Sequence, residues 1–208
     1  MDPKSEALQV AIGSLLGDGH LKGLSKRKCE SQLYVSQHQS KLSYLQWLHD
    51  KMADKFAMNN ILPKKGYEQS YFMTKPNQTL GWLTRQFYVG RRKIVPLAID
   101  ELLVSPLSLA VWFMNDGTLD NRAKEHFNPM ITTYNFSFDE CEKLKKTMSD
   151  NFGIDCSVTR CQMRGKVYPR LYIRSKSARK FLEIVKPFIQ PVFMYKVGVG
   201  SASSSGNT

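Results

Sequence analysis

Two aspartates, Asp18 and Asp116, stand in nearly the same local setting about a hundred residues apart, each followed by glycine. Asp18-Gly19 closes the run AIGSLLGDG at 11–19, and Asp116-Gly117 closes LAVWFMNDG at 109–117. An apolar run of this kind reads as a buried helix. Glycine lets the chain turn out of it, and the acid is left at the helix's exposed end. Two such ends side by side would pair their carboxylates, and paired carboxylates hold a divalent cation suited to phosphoryl chemistry. The charge of the chain points the same way. Thirty Lys and Arg against 18 Asp and Glu leave a formal +12, more than solubility requires, which favours a polyanionic partner. The excess is also segregated. Arg160, Arg164, Lys166, Arg170, Arg174 and Lys176 follow one another without an intervening acid, whereas 41–56 and 139–155 mix both signs.

The elements that must position the acids can be read from pattern. A first helix is expected from Asp2, with Pro3 in its first turn, to Leu16; a second has Ser105 as N-cap and Pro106 just inside. Gly13 and Gly17, with Ala7, Ala11 and Ser14 nearby, suit a close helix–helix approach. After Asp18 the pattern predicts strands at 21–24 and 32–38 and a helix over 42–56. After Asp116 it predicts strands at 118–121 and 130–135 and a helix over 138–152. Second hairpins turn at Pro63-Lys64-Lys65-Gly66 into 67–75 and at Arg164-Gly165-Lys166 into 168–176, and closing helices are expected at 80–87 and 178–185. Helix, hairpin, helix, hairpin, helix therefore occurs twice, which is most simply an internal duplication in an α+β chain. The expected divisions are 1–92, a connection at 93–105, 106–197, and a Gly/Ser-rich disordered tail at 198–208.

Strand alternation sorts the candidate contacts. Gln32, Tyr34, Ser36 and His38 oppose Leu33 and Val35; Arg170, Tyr172 and Arg174 oppose Leu171 and Ile173; Gln69, Tyr71 and Met73 take the matching face in the first half. Such faces carry side chains that reach bases and phosphates, and a two-stranded ribbon fits a major groove. Lys22 in the first strand, and Lys26, Arg27 and Lys28 between the first two, add cations. Lys64, Lys65 and Lys166 at hairpin tips suit backbone contacts. Arg160, Arg164, Arg170 and Arg174 are candidates for guanine or phosphate.

Other classes fit less well. No run is long enough to span a membrane, and the start lacks the pattern of a secretion signal, so an intracellular protein is expected. Cys29, Cys141, Cys156 and Cys161 lack paired metal spacing and read as reduced thiols.

The nonapeptides at 11–19 and 109–117 and the duplicated helix–hairpin order together resemble the LAGLIDADG homing endonucleases, in the single-chain branch with two motif copies. The second half, over 106–117 and 170–196, including LYIRSKS and PVFMYK, is closer still to the family's mitochondrial omega-intron members. The resemblance implies two pseudo-symmetric αββαββα halves, motif helices at their interface, and antiparallel sheets forming a saddle over DNA. It carries the family's metal-binding acid, the eighth residue of the motif, to Asp18 and Asp116, and Gly17 and Asn115 are expected to belong to the same metal site. It carries the basic residue near each cleavage centre to Lys93 and Lys196. It implies Mg2+ as cofactor, with Mn2+ substituting and Ca2+ binding without cleavage. The expected activity is a double-strand break with 3′ overhangs in a long, non-palindromic duplex, made by a monomer with no membrane partner. A maturase that binds intron RNA on the same fold is the alternative. Mitochondrion, plastid and bacterial cytoplasm are all compatible with this reading. In the second motif copy Val111, Trp112, Phe113 and Met114 are bulky, so helix packing should be asymmetric and depend on Gly13.

Overall fold

In a computed structural model of the chain, which describes residues 4–23, 29–120 and 127–198, the two motif helices run through the centre. Helix α1 spans Glu6–Leu16 and α5 spans Pro106–Asp116. Every residue of α1 from Ala7 onward is buried, as is α5 from Leu107 to Met114. A helix apolar on all sides must be enclosed on all sides. The start of α1 differs from the sequence expectation. Ser5 is extended (φ −60°, ψ 134°), so the helix begins at Glu6, and Asp2 and Pro3 lie outside the described residues. The start of α5 follows expectation, with the Ser105 hydroxyl accepting from the Leu107 N–H at 3.2 Å and Pro106 in the first turn.

Gly13 sets how closely the helices approach. A Cβ there would collide with the Ser108 carbonyl oxygen and lie 2.8 Å from Val111 Cβ. Gly13→Ala must push α1 and α5 apart and will cost about 2 kcal/mol of stability, measurable as a lower urea midpoint. Gln9, buried within α1, ties the helix to the segment before α5: its Nε2 donates to Leu102 O at 2.8 Å and its Oε1 accepts from the Ser105 N–H at 3.1 Å.

Around this pair the chain builds the same unit twice. In the first lobe β1 (His20–Lys22) and β2 (Gln32–His38) precede α2 (Leu42–Ala53), then β3 (Leu62–Pro63), β4 (Gln69–Met73) and α3 (Gln78–Phe87). A small hairpin, β5 (Tyr88–Val89) and β6 (Arg92–Lys93), and a short helix α4 (Ile99–Leu102) lead into α5. The second lobe has β7 (Gly117–Asp120), β8 (Asn128–Thr132), α6 (Phe138–Phe152), β9 (Cys156–Met163), β10 (Lys166–Ile173) and α7 (Ser175–Val185). Two 3-10 segments, Lys186–Phe188 and Pro191–Val197, end the described chain. Strand orders β1-β2-β4-β3 and β7-β8-β10-β9, antiparallel throughout, are the same permutation, as duplication requires.

Several expectations shift at their edges. The first strand is shorter than 21–24, and Leu24 lies outside the described residues. The helix expected over 42–56 ends at Ala53. Residues 93–105 are structured: Lys93 pairs with Tyr88 in the small hairpin, and 99–102 is helical. The tail beyond Gly198 lies outside the described residues. By contrast α6 occupies the expected 138–152, started by a capping box in which Ser137 and Glu140 satisfy each other's backbone N–H groups. Glu140 also takes Arg92 from the first lobe, at 2.5 Å, binding the small hairpin to α6.

One continuous core fills both lobes, from Leu8 and Ile12 through Trp112 and Phe113 to Phe181 and Phe193. The four cysteines are free thiols. Burial pushes Cys141 to about 11 and Cys156 to about 12, so neither forms thiolate near neutrality. Among the described residues, no helix is long and apolar enough to cross a membrane.

Candidate metal centre and nucleic-acid interface

The C-terminal ends of α1 and α5 abut. A Cβ at Gly17 would lie 2.7 Å from both Cβ and Nδ2 of Asn115, so glycine is what lets the two ends touch. Asp18 follows Gly17 and is exposed; Asp116 is the last residue of α5 and is partly buried. The Asp116 carboxyl is pushed up to about 7, chiefly by burial and then by the neighbouring Asp18 charge, with Lys93 and Lys196 pulling the other way. Both acids also act on Lys93, Lys196 and Tyr44, which places all five groups in one electrostatic neighbourhood.

Each lysine closes the motif helix of its own lobe. Lys93 Nζ donates to Gly17 O at 2.9 Å and Gly19 O at 2.7 Å; Lys196 Nζ donates to Met114 O at 2.7 Å and Phe113 O at 3.4 Å. A cation at the negative end of a helix is stabilised there; Phe113 O is shared with the Gly117 N–H, and the lysines add donors to the other carbonyls at the two helix ends. Burial brings Lys93 and Lys196 down to about 8, against the opposing pull of the two acids; Lys41 adds to the lowering at Lys196.

Two further residues join the site that sequence reading did not select. Gln37 Nε2 donates to Asp18 Oδ2 at 3.3 Å. Its signal lay in the alternation: it falls on the apolar side of β2, in register with Leu33 and Val35, where a buried amide needs a reason. Tyr44, fully buried on α2, donates its hydroxyl to Asn115 Oδ1 at 3.0 Å, and burial together with Asp18 and Asp116 raises its pKa well above the usual phenol value. Asn115 Nδ2 is buried without a hydrogen-bond partner. Asn135 lines both a cleft of about 470 Å³ with Asp18, His20 and Lys93 and a smaller one with Asp116. His20 is held below the ordinary histidine value by burial and by Lys22, Lys93 and Lys64.

A divalent cation fits this donor set. Two carboxylates forced together, one held half-neutral near pH 7, lack a compensating charge that a hard cation supplies. Among the described residues no group of three or more His, Cys, Asp or Glu is placed to hold a metal ion, so a cation at these two acids would need further oxygen ligands from outside that set. The Gly17 carbonyl already accepts from Lys93.

Asp116 gives a pH dependence with a definite sign. Unfolded, it ionises near 3.8; folded, near 7. Between these values the folded protein holds a proton that the unfolded chain has lost, so stability falls as pH rises through this window. Lys93 and Lys196 act oppositely: between about 8 and 10.5 the folded protein has released protons that the unfolded chain retains, so stability rises. Melting curves in EDTA will decline from about pH 4 to about pH 7, and Asp116→Asn will flatten that decline.

The sheets carry most of the candidate contacts on their outer faces. Tyr34, Ser36, Gln69 and Tyr71 alternate with buried Leu33, Val35, Ser70 and Phe72, and Tyr168, Arg170 and Tyr172 alternate with buried Pro169, Leu171 and Ile173. Some candidates are partly occupied within the protein. Gln32 donates to Thr74 O at 2.9 Å, His38 pairs with Glu68 at 3.2 Å, and Lys64 donates to Gln69 Oε1 at 3.3 Å. Arg174 bonds Ser157 at 3.0 Å and lies 3.7 Å from Asp155. Arg164 (φ 49°) and Lys166 flank Gly165 at an exposed tip, as Lys65 does on the other lobe. Arg160 departs from expectation. It pairs with Pro169, in register with Val158 and Leu171, so the pleat turns it away from Arg170 and over the Phe138 ring of α6 at 5.5 Å. Lys26, Arg27 and Lys28 lie outside the described residues.

Two duplicated lobes joined through paired central helices, with antiparallel sheets outside and an acid at each helix end, define a two-lobed α+β protein with neighbouring carboxylates where its central helices end. The chain belongs to the LAGLIDADG DNA endonuclease family, which it matches over residues 8–181. It is 27% identical over 208 residues to the cytochrome b mRNA maturase bI2 of Saccharomyces cerevisiae, covering 92% of this chain and 47% of that protein, about half its length. It is 27% identical over 212 residues to the DNA endonuclease I-ChuI of Chlamydomonas applanata, covering 92% of this chain and 94% of that one. Among solved structures its fold is similar to the homing endonuclease I-WcaI bound to its DNA recognition sequence, with TM-score 0.73, 22% identity, and coverage of 93% and 87% of the two chains. It is also similar to I-DmoI in complex with DNA and Mn, with TM-score 0.53, 17% identity, and coverage of 87% and 96%.

Proposed function

We propose that the protein is a site-specific DNA endonuclease that cuts both strands of a long, non-palindromic duplex, leaving 3′ overhangs, as a single chain supplying both lobes. The observation that carries this reading is the abutment of Gly17 on Asn115, which brings Asp18 and Asp116 together with a lysine behind each helix end. One acid per lobe suits a duplex whose two scissile phosphates face each other across the minor groove. Asp18 and Asp116 hold Mg2+, and the cation supplies Lewis acidity and charge neutralisation at the phosphate. Gln37 fixes the Asp18 carboxylate, and Tyr44 fixes the Asn115 amide beside Asp116. Lys93 and Lys196, anchored through helix-end carbonyls, present positive charge where negative charge develops and, near 8, exchange a proton close to neutrality. Unlike sheets on the two lobes give unlike half-sites.

The test is incubation with DNA carrying the intron-less insertion site. Cleavage with Mg2+ or Mn2+, none in EDTA, and binding without cleavage in Ca2+ is the expected pattern; intact DNA under all conditions refutes the reading. Similarity to the maturase bI2 favours one second reading, intron RNA binding that assists splicing. In that case added protein accelerates splicing of the unspliced precursor, and an unchanged rate removes it.

A further inference from the structure

The two sheets match in order and register but differ in what stands at equivalent places. His20 and Thr118 each lie two residues past their lobe's aspartate and pair with Tyr34 and Met130. Tyr34 in turn pairs with Met73, and Met130 with Tyr172. Two residues earlier on β4 and β10, Tyr71 opposite Ser36 and Arg170 opposite Thr132 are therefore one position seen in two lobes.

In the first lobe this position ends a line of rings. His20 lies 4.7 Å from Tyr34, and Tyr34 stacks on Tyr71 at 5.3 Å with 22° between planes. Lys22 Nζ rests 3.9 Å over the Tyr34 ring, so the strand's cation is held against the stack. The line begins in the cleft that holds Asp18 and runs outward across the sheet. In the second lobe the same place holds a guanidinium. Arg170 stands between Thr132 and Thr159 on the neighbouring strands, and its Nε is buried with no hydrogen-bond partner. Arg170 as a whole is only partly buried on this outward face, so a groove acceptor meets the exposed part of its guanidinium rather than the shielded Nε. In a major groove the acceptor pair that matches the guanidinium fork is O6 and N7 of guanine, whereas ring faces and edges pack on the thymine methyl.

We propose that the lobes read opposite bases at this shared position: the His20–Tyr34–Tyr71 rings take a thymine methyl in one half-site, and Arg170 takes O6 and N7 of a guanine in the other. The inference rests on the DNA-binding part of the proposed function and adds to it the base each lobe selects.

The full chain, with Ca2+ replacing Mg2+, is used to select from a randomised duplex library, and the bound duplexes are sequenced. The expected profile has a thymine column in one half and a guanine column at the matching distance from the centre in the other. Replacing that thymine by deoxyuridine, which lacks only the methyl, lowers affinity about fourfold. Tyr71→Arg converts the thymine column to guanine, and Arg170→Tyr lowers discrimination for guanine about tenfold in the other half alone. The proposal is overturned if the wild-type profile lacks the two columns, a readout independent of how either variant folds. It is also overturned if Arg170→Tyr weakens all duplexes equally and reduces the salt dependence by about one counterion, the mark of a phosphate contact. Selection of no duplex at all overturns DNA binding itself, and with it the proposed function.

Discussion

With Asp116 replaced by asparagine, the protein will bind its DNA and make no double-strand breaks. The substitution keeps the shape and one oxygen of the side chain but removes the charge that a hard cation requires. Loss of one lobe's cation leaves at most the strand served by Asp18. The double-strand cleavage rate should fall at least about 10³-fold while Kd changes less than about threefold, read by plasmid linearisation and by gel shift. Misfolding would not imitate this result. Burial and Asp18 hold the Asp116 carboxyl near 7, so its ionised form strains the folded protein, and the asparagine variant should melt above wild type at pH 8 in EDTA. Asp18→Asn should match it in cleavage. It should differ in one respect, because the partner lost to Gln37 is a charged one. If either variant linearises plasmid at the wild-type rate, the paired-acid centre is wrong.

Lys196→Met gives the second large effect. The methionine keeps most of the packing volume and removes the ammonium that caps Met114 O and Phe113 O. Cleavage of the strand served by the second lobe should drop about 10²–10⁴-fold, the usual scale for a positioned proton donor or acceptor. A lysine that only contacted a phosphate would instead raise Kd and lower its salt slope by about one, with the rate at saturation unchanged. Lys93→Met should do the same to the other strand, so the pair of variants should nick opposite strands. Strand-specific end labelling distinguishes them. Identical nicking patterns would show that the lysines do not divide the two strands between them.

Much of this arrangement was legible in the sequence because the signals were local and repeated. The acid-glycine endings, the Ser105–Pro106 start and the Ser137–Glu140 box are short-range chemistry, and the elements follow them closely. Gly13 was legible for a related reason: opposite a bulky Val111, only an absent Cβ allows contact. What escaped depends on tertiary partners. The two-residue strands β5 and β6 exist only through pairing with each other, and no periodicity marks so short an element. Gln37 reveals its role only when β2 is laid against the end of α1, although its place on the apolar side of the strand was a clue. Arg160 groups with the other arginines by charge alone. The alternation of Cys156, Val158 and Arg160 puts it on the face toward α6, so strand parity outweighs charge there.

The seam between α1 and α5 bears on ancestry and engineering. It joins unlike surfaces: a notch at Gly13 receives Ser108 and Val111 from a partner that has no notch of its own. Two copies of α5 would bring bulky Val111 against a helix that offers no glycine to receive it, so the seam as built takes one helix of each kind. Any chimera that grafts a foreign lobe onto this one must first recut the joint.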